Sequence, residues 1–170
     1  MDTSVVVGRL IHILAGVFWV GTMMFVTVFL MPAIRETGPD GAKVMAAVAR
    51  RRFMQVMPVV AILTILSGLH LLGKASNGFQ VEYLKSGPGH AYGIGGGLAI
   101  LAFIIGIAVT RPAMMKAVEL AQAAASAPED ERAVILAKAQ ALRARGARAG
   151  TIVAWLLVLA TVAMAVGRYV

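Results

Sequence analysis

Of the 170 residues 59% are hydrophobic and 14% are charged, against about 25% charged in a soluble domain. There is no cysteine, which excludes disulfides, thiolate zinc sites, iron–sulfur clusters and c-type haem attachment. The formal net charge of +8 is gathered in two segments between apolar runs, so it reads as a topology signal and not as a nucleic-acid face.

Four windows have the length of roughly 20 residues that crosses a bilayer: Val5–Met31, Phe53–Gly73, Ala91–Thr110 and Thr151–Val170. They predict one all-α integral membrane domain over 1–170, a four-transmembrane-helix bundle. The first window lacks a basic leader and exceeds a signal core in length, so it reads as a retained span. Residues 31–52 follow, with a turn at TGPDG and a helix-like AKVMAAVARRR. The segment KASNGFQVEYLKSGPGH is rich in turn formers and predicts an irregular loop, with Pro88 in the first turn of the third helix. Residues 111–150 are alanine-rich with charges at helical spacing and predict a helical extension between helices 3 and 4. Within it, Ser126-Ala-Pro-Glu-Asp-Glu resembles a capped helix start. No internal repeat is visible.

The 31–52 and 111–150 segments hold twelve of the sixteen basic residues. The positive-inside rule makes both cytoplasmic, which puts both termini and residues 74–90 on the outer side. The expected location is a bacterial inner membrane with periplasmic termini.

That topology brings all three histidines to the outer side. His12 lies roughly 10 Å deep in the first span and His70 roughly 6 Å deep at the end of the second. His90 starts the third span. Ionisable groups in a membrane are costly and face the bundle interior or a cavity. Arg9, His12, Gly16, Trp19 and Met23 share one helix face, and Trp19 lies mid-membrane, away from the interfacial belt. Thr64, Ser67 and His70 step by three, and His90, Gly93 and Gly97 form a stripe in GHAYGIGGG. Such glycines admit a neighbouring helix or a planar ligand.

Neutral imidazole suits iron, copper and zinc. Haem needs an axial histidine, an apolar slot and basic groups for its propionates. One reading is haem b for electron transfer or redox chemistry at the outer face. It uses His12 and His70 as axial ligands, His90 as a third candidate and Arg9 toward a propionate; Lys74 and Arg168 are further basic candidates. A haem-dependent oxidoreductase falls within that reading. A second is copper held by His12, His70 and His90. Met23, Met24, Met31, Met45, Met54, Met57, Met114 and Met115 lie away from the histidine layer, which argues against a thioether-lined copper funnel. A third is a non-catalytic assembly subunit whose histidines cross-link helices. Candidate partners are lipid, a redox partner or quinone, and a second copy of the chain, but not nucleic acid.

RLIHILAGVFWVGTMMFVTVFLMPAI, with His12, Trp19, Val20 and Gly21, resembles the first helix of a bacterial superfamily of small four-helix membrane domains that includes the copper-resistance D domain. RRRFMQVMPVVAILTILSGLHLL, with Arg52, Phe53, Ser67 and Gly68, resembles its second segment. The likeness covers roughly the first 75 residues and implies a four-helix membrane fold and a copper role. The first helix is also similar to that of haem-J-type protoporphyrinogen oxidase, which implies a haem-binding enzyme. VFLMPAI stands where that oxidase has Tyr-x-Pro-Arg, and the later helices carry no further histidine beyond His90.

Overall fold

The computed structural model describes residues 2–170. Among them there is no strand. The helices are α1 (Thr3–Glu36), α2 (Gly41–Arg50), α3 (Phe53–Ala75), α4 (Val81–Leu84), α5 (Gly87–Ser126) and α6 (Glu129–Val166). Four of these, α1, α3, α5 and α6, are long and apolar enough to cross a membrane, and the chain is a multi-pass membrane protein. Their outward faces are apolar, with Leu14 and Val17 each 68% exposed, as a lipid-facing surface requires.

The helices overrun the apolar windows. α5 and α6 run for 40 and 38 residues, so residues 111–150 continue both helices into a hairpin, as expected. Alanines make that hairpin tight: Ala113, Ala117, Ala124, Ala139 and Ala149 are all buried. At Gly146 an added Cβ would lie 2.8 Å from the Met114 sulfur. Ser126 does not cap α6 as its sequence suggests. Its hydroxyl donates back to the Ala123 carbonyl, and Pro128 occupies the cap position, with Glu129, Asp130 and Glu131 in the first turn. Arg132 then closes the hairpin by donating to the Ala124 and Ala127 carbonyls, both at 3.2 Å.

Consecutive helices pack as two antiparallel pairs, α1 with α3 and α5 with α6. The pairs meet loosely, α1 touching α6 much as α3 touches α5. They close on each other at a waist of Trp19, Met57, Ala61, Ala102, Val153 and Leu157. Small residues at the waist let the pairs approach, and dispersion holds them, since lipid is as apolar as the core. Beyond the waist the pairs splay, leaving one cavity at the end that carries the chain termini and another toward the hairpin.

Two of the long helices share one irregularity. In α1 a π-helical segment, Val26–Leu30, precedes Pro32; in α5 a π-helical segment, Gly106–Thr110, precedes Pro112. Proline lacks an N–H and its ring crowds the carbonyl four residues back, and a widened turn relieves both. The interval from Pro32 to Pro112 also carries His12 to Tyr92 and Gly16 to Gly96.

At the termini end the residues of 74–90 are partly ordered. Asn77, Gly78 and Phe79 turn the chain with positive φ, α4 follows, and Pro88 sits in the first turn of α5 as expected. Asp2 caps α1 and clips it to α3. Its carboxylate accepts from Ser4 Oγ (2.7 Å), Ser4 N (2.9 Å) and Lys74 Nζ (3.0 Å). The Ser4 hydroxyl first, and then Lys74, hold the Asp2 carboxyl well below the usual carboxylate range. A depressed pKa means the stabilisation is complete above the ordinary carboxylate value and is lost as pH falls toward the folded one. Asp2→Asn should therefore lower the melting temperature slightly at neutral pH, and the difference from wild type should close between about pH 5 and pH 1. A difference that stays constant on acidification would rule the clip out.

Candidate functional site

The termini-end cavity has a volume of about 650 Å³, within the range of cofactor sites. His12 of α1 is on its wall. The His12 Nδ1 lies 2.8 Å from the Thr64 carbonyl oxygen of α3. A carbonyl only accepts, so Nδ1 carries the proton and donates. An imidazole held this way as its Nδ1–H tautomer would present the Nε2 lone pair, the arrangement in which histidine ligates a metal. Ser67 Oγ is 3.5 Å from the same nitrogen, and its hydroxyl donates to the Leu63 and Thr64 carbonyls of its own helix. Thr64 and Ser67 are buried against α1, as their spacing suggests.

The ring reaches the α3 backbone because residue 68 is glycine. A Cβ there would lie 2.8 Å from His12 Cε1 and 3.1 Å from Nδ1, closer than real Cβ contacts. The expected α1 face points inward as a unit. Arg9 and His12 line the termini-end cavity, Gly16 faces Thr64 with 3.6 Å available to a Cβ, and Trp19 is buried at the waist at 4% exposure.

Electrostatically the cavity is one-signed. Arg9, Lys74 and Arg168 line it, and no carboxylate does. Its remaining walls are largely aliphatic, with Tyr83 and Tyr92 supplying phenols and Met164 a thioether.

The other histidines are elsewhere. His70 is exposed and is not on the cavity wall; its Cδ2 is 3.1 Å from where a Cβ on Gly8 would be. The reason is helical arithmetic. Steps of three fall short of a 3.6-residue turn, so from Thr64 to His70 the stripe rotates by about 120°, and His70 lies beside Gly8 of α1 and off the cavity wall. His90, Gly93 and Gly97 do share a face, but that face is outward: all three are exposed, and a Cβ on either glycine would meet nothing within 4 Å. Helix α5 is apolar all round, so spacing alone does not say which face is inward. The close approach is at Gly95, where a Cβ would sit 3.1 Å from the Ala160 carbonyl oxygen and from Met164. Among the described residues no group of three or more His, Cys, Asp or Glu is arranged to hold a metal. The three histidines share an end of the bundle but not a site.

Sequence reasoning missed Tyr83, Tyr92, Gly96 and Met164. Met164, which is not among the eight methionines placed away from the histidine layer, lines the cavity.

Comparison with protein-family models, with curated proteins and with solved structures finds no match for this chain.

Proposed function

We propose that the termini-end cavity holds b-type haem, with His12 as axial ligand and Arg9, Lys74 and Arg168 pairing the two propionates. The observation that carries this is the His12 Nδ1–H bond to Thr64, which leaves Nε2 free beside a large, mostly apolar cavity whose charged lining residues are Arg9, Lys74 and Arg168. The donor set fits: one imidazole, aliphatic walls, and guanidinium and ammonium groups, of which Lys74 is shared with the Asp2 carboxylate. Bound haem would supply one-electron chemistry. The chain's part is to orient the ligand ring, exclude water and fix the charged edge. The basic 31–52 and 111–150 segments support a cytoplasmic hairpin and a periplasmic cavity. Function is then electron transfer or redox chemistry at the outer face of a bacterial inner membrane.

His70 is withdrawn as the second axial ligand, because it is not on the cavity. With His12 the one histidine on the wall, a bound haem would be able to take an added ligand. The test is the absorption spectrum of detergent-purified protein produced with ample haem, first oxidised and then reduced with dithionite. The expected result is a Soret band of high-spin type that shifts on carbon monoxide addition to the reduced protein. A flat spectrum from folded protein would overturn the haem reading. It would leave His12 as a brace between α1 and α3, and metal analysis would then test for copper.

A further inference from the structure

The second cavity lies toward the hairpin, across the waist from His12, and measures about 180 Å³. Apolar cavities near 150 Å³ admit a single six-membered ring. Six methionines reach its wall: Met23, Met31, Met45, Met54, Met57 and Met114. Thioethers adapt their shape and pack favourably on ring faces and edges.

The polar groups at this cavity are donors without enough acceptors. Thr110 Oγ1 is buried and has no hydrogen-bond partner. It ends the π-helical segment Gly106–Thr110, which lines the cavity opposite the π-helical segment of α1. Arg111, next in the chain, donates from Nε to the Met54 carbonyl at 3.2 Å. That carbonyl lacks its usual helical donor because Pro58 stands four residues on. The Arg111 guanidinium keeps further N–H groups, and Arg35 also reaches the wall. No carboxylate does.

We propose that this cavity binds the head group of a membrane quinone. The ring lies among the thioethers, and a ring carbonyl accepts from the Thr110 hydroxyl and the Arg111 guanidinium. Three features select this chemistry: a ring-sized apolar volume, an orphaned hydroxyl and a donor-rich edge. The site is separate from the haem cavity and does not depend on it.

The test is equilibrium binding of decylubiquinone to the full-length protein in detergent, measured as quinone retained per chain above empty micelles. Saturation near one quinone per chain is expected. Thr110→Val should weaken binding by about tenfold, the worth of one hydrogen bond, while Thr110→Ser retains it. Thr110→Val removes an unpaired buried hydroxyl, so its melting temperature should equal or exceed that of wild type, and any haem spectrum should be unchanged. Uptake no greater than in empty micelles would overturn the proposal, as would equal affinity in the valine variant. Displacement by an equal concentration of oleate would also overturn it and assign the cavity to an acyl carboxylate.

Discussion

His12→Ala is expected to remove the haem signal, lowering Soret absorbance per protein by about tenfold or more. Changes to groups that merely orient a metal-bound histidine already cost about 10–100-fold in affinity, and loss of the ligand costs at least that. His70→Ala and His90→Ala are expected to keep the full signal, since both side chains are exposed and off the cavity wall. Addition of imidazole to His12→Gly should restore part of the band, which a folding defect would not allow. Gly68→Ala supplies a second arm. Its Cβ meets the ring at 2.8 Å and displaces it from the Thr64 carbonyl, so the band should weaken or move although no ligand is removed. If His12→Ala retains its haem while His70→Ala loses it, the single-ligand assignment fails.

Trp19→Ala is expected to be the most destabilising single change, at about 3 kcal/mol. Tryptophan-to-alanine substitutions in cores cost about 3–5 kcal/mol, partly transfer and partly the void left behind. Inside a bilayer the transfer part is small, because lipid is apolar too, so the low end applies. Trp19 packs at the waist where the two helix pairs meet, and it reaches the hairpin-side cavity. Trp155 is the internal control: it is 57% exposed and faces outward, so Trp155→Ala should change stability by under about 0.5 kcal/mol. Reversible unfolding in mixed micelles of sodium dodecyl sulfate measures both. A Trp19 variant no less stable than the Trp155 variant would show that the waist does not hold the pairs together.

Much of the architecture was legible from residues alone. Four apolar runs, long enough to cross a bilayer and separated by basic segments, leave only a helical membrane protein, because an unpaired backbone is intolerable in lipid. The α1 face of Arg9, His12, Gly16 and Trp19 was also legible. It carries the polar and unusual residues of a helix otherwise uniformly apolar, and such residues turn inward. Pro88 and the alanine-rich hairpin followed from local rules that tertiary context left intact.

The site itself was decided by the tertiary structure. Depth in the membrane placed His12, His70 and His90 in one layer, yet depth says nothing of rotation about each helix axis. On helices apolar all round, rotation is set by where small residues let backbones meet: Gly68 under His12, and Gly95 against α6. Those contacts turn His12 to the cavity and leave His70 and His90 outside it. The same packing brings Tyr92 and Met164 to the cavity wall, and it strands the Thr110 hydroxyl beside a second cavity. A one-dimensional pattern fixes which residues share a helix face. Only the packing of the pairs decides what that face meets.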